Sequence, residues 1–162
     1  MRELWLPFGV STRSIYGGPY HEKPKDYVGI KVAAEIKDRC SMHVPIRDFS
    51  VPLKPDQMNE ALAFALDRIA EDMPLYVGCM GGVGRTGLFL TLLVKSLTGW
   101  DGERCIEYVR ANYNAHAVET PQQELYVAGF DVRKLRKLAR RAKFKAVWFD
   151  VKALFGVRPA TA

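Results

Sequence analysis

A cysteine and an arginine lie six positions apart in a glycine-rich stretch near the middle of the chain. The stretch reads Cys79-Met80-Gly81-Gly82-Val83-Gly84-Arg85-Thr86-Gly87. Apolar residues before it predict a buried strand, and the apolar run after it predicts a helix. Three glycines within four positions let the backbone turn tightly, so that several N–H groups point inward. Together with the N-terminus of the following helix, these N–H groups would form a nest for an anion. The residues therefore predict a phosphate-binding turn with a thiol at its mouth.

Two loop patterns that bind phosphate could fit this turn. The nucleotide-binding loop G-x-x-x-x-G-K-[ST] would need a glycine at Cys79 and a lysine at Arg85, so two residues that it requires are missing. The other pattern, C-x5-R followed by Ser or Thr, is complete in Cys79, Arg85 and Thr86. Between a strand and a helix, this segment resembles the signature of the protein tyrosine and dual-specificity phosphatase superfamily. The resemblance extends over about residues 42–130.

The chemistry of a phosphate monoester explains these residue types. The ester carries close to two negative charges and repels ordinary nucleophiles, whereas N–H donors at a helix N-terminus keep a thiol in its reactive thiolate form. The planar guanidinium of Arg85 can hold two phosphoryl oxygens, and Thr86 can donate its hydroxyl to the Cys79 sulfur. The resemblance implies that Cys79 attacks phosphorus and that water hydrolyses the resulting cysteinyl-phosphate, without a metal or a cofactor. The residues expected to bind the phosphate are Met80, Gly81, Gly82, Val83, Gly84, Arg85 and Thr86.

The leaving group of such a reaction needs a proton, which predicts an acid on a loop before the cysteine. Asp48 lies 31 residues before Cys79 in the proline-flanked segment 45–52, and it resembles the family's acid in position and context. Asp56 competes for the role, but it stands at the start of a predicted helix, where the helix dipole alone accounts for a carboxylate. Asp48 is therefore the expected general acid.

Downstream, the segment 117–123 resembles the part of the family that positions the hydrolytic water, and Gln123 matches its glutamine. Gln123 also fits a capping box with Thr120, so a structural role is open beside the role in water binding. Two positions depart from the family pattern. Gly78 stands where a histidine usually precedes the nucleophile, and Glu119 stands where tyrosine-specific enzymes carry a first glutamine. Dual-specificity members lack this glutamine, so Glu119 is closer to their pattern.

Strand and helix signals alternate along the chain. Short strands are predicted within the first 25 residues, at 42–46 and at 75–77, while residues 25–39 fit either a helix or a strand. Helices are predicted from Pro55, from Thr86 to Leu97 with Gly99 as its end, from Asp101 to Tyr113, and over a long segment that opens at Thr120. This alternation indicates an α/β fold. The resemblance implies a central, mostly parallel sheet of four or five strands flanked by helices.

The composition is that of a globular protein, with 162 residues of which 48% are hydrophobic and 26% charged. The longest apolar run, 87–94, is far shorter than the ~18–20 residues that cross a bilayer, and the N-terminus lacks the apolar core of a signal peptide. Three scattered cysteines are too few for a disulfide framework or a zinc site. We therefore expect one phosphatase domain over residues 1–162, without a metal, in the reducing cytoplasm.

The positive charge is concentrated at the C-terminus. Residues 131–162 contain ten Lys or Arg and two acids, whereas the rest of the chain contains 14 and 16. Apolar residues at a spacing of three to four predict a basic helical extension at about 131–162. This helix either packs on the domain or binds an anionic partner such as nucleic acid or anionic lipid. The apolar residues at 147–149 and 154–155 are expected to pack on the body of the protein or on a partner.

The expected function is a cysteine-dependent phosphomonoester hydrolase of the tyrosine or dual-specificity type, acting on a phosphorylated protein. The loop positions Met80, Gly81, Gly82 and Val83 carry no charge, which favours a substrate with a single phosphate in the pocket. An RNA 5′-phosphatase or a phosphoinositide phosphatase on the same scaffold is an alternative. A phosphate-binding pseudophosphatase is another, because Gly78 and Glu119 depart from the family pattern.

Overall fold

Five strands form one mixed sheet in the computed structural model, which describes residues 1–155. The strands are β1 (Arg2–Leu6), β2 (Arg13–Pro19), β3 (Val28–Lys31), β4 (Met42–His43) and β5 (Leu75–Cys79). Their order across the sheet is β1-β2-β5-β3-β4, and only β1 runs antiparallel to its neighbour. The prediction of an α/β fold with a mostly parallel sheet of four or five strands is confirmed.

Five helices surround the sheet. They are α1 (Pro55–Ala70), α2 (Gly84–Thr98), α3 (Gly102–Asn112), α4 (Pro121–Gly129) and α5 (Arg133–Leu154). Helix α1 packs on β2 and β4, α2 packs on β5, and α3 packs on β1. Every residue of α2 from Gly84 to Leu97 is buried, because α2 also contacts each of the other four helices. The central strand β5 and the central helix α2 thus fix the loop between them.

The predicted helix ends agree with the structure at three places. Gly99 ends α2 in the left-handed conformation, with φ 72°. Asp101 caps α3, since its side chain accepts a hydrogen bond from the backbone N–H of Arg104 at 2.9 Å. Thr120 caps α4 by accepting from the N–H of Gln123 at 3.2 Å.

The long helix predicted from Thr120 is wrong, because α4 has only nine residues. The buried ammonium group of Lys95 donates to three carbonyl oxygens at the end of α4, those of Val127, Ala128 and Phe130, at 2.6–3.1 Å. The ammonium group on α2 therefore binds the carbonyl oxygens at which α4 ends. Burial lowers the pKa of Lys95. Sequence periodicity near Thr120 carries no sign of this contact.

The basic C-terminal segment forms one helix, α5, that packs on α1 and α2. Its buried side consists of Leu135, Ala139, Ala142 and Ala146. The sequence predicts that its later apolar residues pack on the body or on a partner. Trp148, Leu154 and Phe155 are exposed and do not pack on the body, so for them only the contact with a partner stays a prediction. Residues 156–162 of the predicted extension lie outside the described part of the chain. Within residues 1–155, no helix is both long and apolar enough to cross a bilayer.

Candidate active site

The loop between β5 and α2 surrounds the sulfur of Cys79. The side chain is 3% exposed, and its Sγ accepts hydrogen bonds from the backbone N–H of Gly82 and from the hydroxyl of Thr86, both at 3.2 Å. Both donors stabilise negative charge on the sulfur. The structure thus brings the thiol, the loop backbone and Thr86 together as the sequence analysis expects.

Gly82 occupies a position in the loop that excludes other residues. Its φ is +68°, a conformation that side chains rarely adopt. A Cβ at Gly82 would also overlap the backbone of Gly18 and Pro19 on β2. By contrast, a Cβ at Gly81 would meet no atom within 4 Å. The two neighbouring glycines therefore differ: Gly82 is required by backbone geometry, whereas a side chain at Gly81 would extend into open space.

Close packing explains why Gly78, and not the family's usual histidine, precedes the nucleophile. A Cβ at Gly78 would lie 2.7 Å from the carbonyl oxygen of Gly18 and 2.9 Å from the Cα of Tyr20. Both are backbone atoms, one in β2 and one in the residue that follows it, and backbone cannot rotate away as a side chain can. This approach of β2 to β5 leaves no room for any side chain at position 78.

Tyr113, which the sequence analysis missed, holds the loop from the end of α3. Its buried hydroxyl donates to the carbonyl oxygen of Gly82 at 2.6 Å. The ring packs so closely on Gly17 that a Cβ there would lie 2.8–3.0 Å from it. Burial, and next the nearby Cys79 sulfur, raise the pKa of Tyr113, so its hydroxyl stays a donor. No motif in the sequence marks this residue.

Arg85 is 1% exposed and is held by an unexpected partner, Glu35. The two terminal nitrogens of the guanidinium contact the two carboxylate oxygens of Glu35, each at 2.8 Å, and Nη1 also donates to the carbonyl of Ile46 at 3.0 Å. The hydrogen bond from Arg85 lowers the pKa of Glu35. Glu35 follows β3, which lies beside β5 in the sheet, so its carboxylate reaches the same edge. The position after a parallel strand is the only sequence signal for it.

Asp48, the expected general acid, also contacts Arg85. Its Oδ1 lies 2.9 Å from Nη2 of Arg85, and its side chain is 59% exposed. Asp56 instead lies in the first turn of α1, and within residues 1–155 no hydrogen bond or ion pair joins it to the loop. The geometry thus places Asp48, and not its competitor, beside the arginine.

Gln123 is fully buried, and both ends of its amide are engaged. Its oxygen accepts from the N–H of Glu119 at 3.0 Å, and its nitrogen donates to the carbonyl of Ser50 at 3.1 Å. Gln123 thereby ties the Asp48 loop to the segment before α4. A role in positioning water stays a prediction.

The carboxyl group of Glu119 lies against Gly84, the first residue of α2. A Cβ on Gly84 would overlap that carboxyl group, so this glycine makes room for it. Burial, and next the charge of Asp48, raise the pKa of Glu119, while Arg85 acts in the opposite direction. A second carboxyl group therefore borders the loop at the position where tyrosine-specific relatives carry glutamine.

Comparison with known proteins agrees with this geometry. The family model described as "Polymorphic toxin system, DSP-PTPase phosphatase" matches residues 20–98, which include the whole loop and Asp48. The uncharacterized protein MJ0215 of Methanocaldococcus jannaschii is 35% identical over 141 residues, which are 80% of this chain and 86% of that protein. A second uncharacterized protein of the same organism, MJECL20, is 35% identical over 96 residues, 59% of this chain and 62% of its own length.

Solved structures with the same fold are phosphatases. The active form of Tk-PTP is 25% identical with a TM-score of 0.54, over 70% of this chain and 80% of that one. DUSP15 is 16% identical with a TM-score of 0.64, over 80% and 90% of the two chains. Kinase associated phosphatase, with serine in place of its catalytic site cysteine, is 16% identical with a TM-score of 0.62, over 85% and 96%. The chain belongs to the protein tyrosine and dual-specificity phosphatase superfamily, and its activity is that of a cysteine-dependent phosphomonoester hydrolase.

Proposed function

We propose that the protein removes phosphate from phosphorylated proteins through a cysteinyl-phosphate on Cys79, with Arg85 binding the phosphoryl group and Asp48 supplying the proton. The observation that carries the proposal is the pair of donors on the Cys79 sulfur, at 3.2 Å each, together with the ion pair of the buried Arg85 and the exposed Asp48 at 2.9 Å. These contacts support the assignment of nucleophile, anion receptor and acid to one site.

In the first step the Cys79 sulfur attacks phosphorus, an S–P bond forms and the bond from phosphorus to the leaving oxygen breaks. The loop N–H groups and Arg85 stabilise the negative charge on the phosphoryl oxygens. The Nε of Arg85 has no hydrogen-bond partner within residues 1–155, so this donor is available to a phosphoryl oxygen. A phosphoryl group that binds Arg85 displaces Asp48 from its ion pair. Beside the phosphate dianion the released carboxylate takes up a proton from water, and it then gives this proton to the leaving oxygen.

In the second step water attacks the cysteinyl-phosphate and the S–P bond breaks. Thr86 donates to the departing sulfur and stabilises it as a thiolate. Asp48, now a carboxylate, accepts the proton of the water. The buried bridge through Gln123 supports this step by keeping the Asp48 loop near the segment of Glu119. Free phosphate leaves and Cys79 is regenerated.

Features at the mouth of the pocket support a substrate with one phosphate on an aromatic or alkyl oxygen. Loop positions 80–83 carry no cation that would meet further phosphates. Met80 follows the nucleophile, Phe49 follows the acid, and both side chains are exposed. Their apolar surfaces suit the ring of a phosphotyrosine. Free thiols at Cys40, Cys79 and Cys105 support a reducing, cytoplasmic location.

The nucleophile is tested by comparing Cys79→Ser with Cys40→Ser, a control at another free cysteine. Cys79→Ser should abolish hydrolysis of p-nitrophenyl phosphate and of a phosphotyrosine peptide, yet still bind the peptide, since the loop N–H groups and Arg85 remain. Cys40→Ser should retain full activity. Residual activity of Cys79→Ser above ~1% of wild type would overturn the assignment, because a serine hydroxyl there lacks an activating base.

The substrate class is tested with the wild-type enzyme on three substrates at equal concentration. We expect the phosphotyrosine peptide to give a higher kcat/KM than triphosphate-ended RNA or a phosphoinositide. A preference for either of the other two would assign that alternative activity to the same site. Peptide binding without any turnover would identify a pseudophosphatase.

A further inference from the structure

A second candidate site lies at the end of α2 that is remote from Cys79. A cavity of about 530 Å³ opens there between the last turn of α2, the N-terminal segment and α5. Since α2 has 15 residues, the cavity is about 20 Å along the helix from the catalytic loop. It is therefore separate from the phosphatase site.

Three cations line this cavity without a counter-charge. Arg136, Arg140 and Lys143 lie at successive turns of α5 and all face it. Within residues 1–155, none of the side chains that line the cavity is a carboxylate, and none of the three cations forms an ion pair. Like charges three or four residues apart on a helix repel each other. A cluster of this kind is stabilised when an anion enters.

The strongest evidence for a ligand comes from Arg136. Its Nη1 is buried and has no hydrogen-bond partner within the described residues. The guanidinium lies on the bare backbone of Gly99, where a Cβ would overlap it. A buried donor without an acceptor is unfavourable, and a turn of the Arg136 guanidinium toward an oxyanion in the cavity would supply the missing acceptor.

Lys143 and Trp100 complete the walls. The ammonium group of Lys143 donates to the carbonyl of Leu97 at 3.1 Å, which holds it at the end of α2. Burial, and next the charge of Arg136, lower the pKa of Lys143, as expected where cations crowd together. Trp100 also lines the cavity, and the guanidinium of Arg104 lies 4.1 Å from the centre of its ring.

We propose that this cavity binds a phosphate group, held by Arg136, Arg140 and Lys143. The group is carried either by a soluble phosphate compound or by a phospholipid headgroup. The exposed Val147 follows Lys143 at the i+4 position of α5, on the same helix face as the three cations, and would lie beside a bound headgroup. The site does not depend on the phosphatase reaction.

The test for a soluble ligand uses the indole N–H of Trp100 as a local reporter in two-dimensional ¹H–¹⁵N NMR. Millimolar pyrophosphate should shift this signal saturably in the wild type. In Arg136→Gln/Arg140→Gln the shift should disappear or need at least about tenfold more ligand. The matched control, Lys137→Gln/Arg141→Gln, removes two exposed cations of α5 that do not line the cavity and should respond as wild type. Arg140→Gln alone should weaken binding several-fold. Because Arg140 is exposed, this single variant can replace the double variant if the latter folds poorly.

The lipid source is tested by cosedimentation with phosphatidylcholine vesicles, with and without phosphatidic acid. Binding that requires phosphatidic acid and is lost in Arg136→Gln/Arg140→Gln, but kept in Lys137→Gln/Arg141→Gln, identifies a headgroup site. A pyrophosphate shift without vesicle binding identifies a soluble phosphate compound. No saturable shift and no vesicle binding would overturn the proposal, as would equal losses in the two double variants. All readouts are independent of phosphatase activity, so they stand or fall separately from the proposed reaction.

Discussion

The hydroxyl of Tyr113 donates to the carbonyl oxygen of Gly82 at 2.6 Å and so joins the end of α3 to the catalytic loop. Gly82 is the same residue whose N–H donates to the Cys79 sulfur. One peptide segment therefore receives a hydrogen bond from the tyrosine and gives one to the nucleophile. Tyr113 thus positions the loop through Gly82.

Tyr113→Phe should lower both stability and activity. The Gly82 carbonyl loses its buried partner, which costs about 1–3 kcal/mol, and a loop displaced by a fraction of an ångström should lose about 10-fold in kcat/KM. Thermal unfolding and steady-state kinetics measure the two effects. Tyr108→Phe is the control, because its hydroxyl also donates to a distant carbonyl, that of Trp5, but at an exposed position. If both variants behave alike, Tyr113 has no special relation to the loop.

Gly78→Ala and Gly81→Ala should differ strongly in stability. The added methyl group at Gly78 meets the backbone of Gly18 and Tyr20 at 2.7–2.9 Å, whereas at Gly81 it meets nothing within 4 Å. We expect a loss of about 1–3 kcal/mol for Gly78→Ala, as for other overpacked sites, and less than about 1 kcal/mol for Gly81→Ala. Chemical denaturation gives both values. Gly78→His should be still less stable, and an active, stable Gly78→His enzyme would contradict the packing argument.

Asp48→Asn should slow the enzyme in a way that depends on the leaving group. The loss in kcat should be about 100- to 10,000-fold for an alkyl or tyrosyl phosphate, and smaller for an activated aryl ester whose leaving oxygen needs no proton. The comparison variant is Asp56→Asn, whose charge lies at the start of α1 and should affect only helix stability. A leaving-group-dependent loss in Asp56→Asn, and none in Asp48→Asn, would identify Asp56 as the acid instead.

Glu119→Gln should strengthen the binding of phosphate. In the wild type the carboxylate borders the loop and repels an incoming dianion, so the inhibition constant of phosphate should fall several-fold in the variant. Because the pKa of Glu119 is raised, its charge is lost on acidification earlier than that of an ordinary glutamate. The advantage of the variant should therefore be present at neutral pH and shrink as the pH falls. Inhibition constants between pH 5 and pH 8 measure it, and equal affinity at neutral pH would show that the carboxylate does not face the phosphate.

Glu35→Gln should loosen Arg85 and lower kcat/KM by about 10-fold or more. The pKa of Glu35 is depressed in the folded protein, so its ion pair stabilises the fold above the ordinary value of 4.5 and ceases to do so as the pH falls through the folded pKa. The difference in melting temperature between wild type and variant should follow the same course. Glu124→Gln, which breaks the exposed pair with Arg110, is the control and should leave activity unchanged. An equal effect of the two variants would deny Glu35 a role at the site.

The sequence alone determined the features that depend on neighbouring residues. The spacing of Cys79, Arg85 and Thr86 identifies the family, since all three must lie on one turn between a strand and a helix. Gly99 and Asp101 predict helix ends because capping involves only adjacent peptide groups. The choice of Asp48 over Asp56 agrees with the contact to Arg85, although the role of Asp48 as an acid stays a prediction.

Only the tertiary structure decided which distant residues complete the site. Glu35 is 50 residues from Arg85, and Tyr113 is 31 residues from Gly82, so neither pair leaves a local pattern. The early end of α4 likewise follows from Lys95 on another helix. Whether position 78 can carry a side chain depends on how closely β2 approaches β5, a distance set by sheet pairing. Such contacts arise when separate elements pack, and packing is a property of the whole fold that spacing along the chain does not encode.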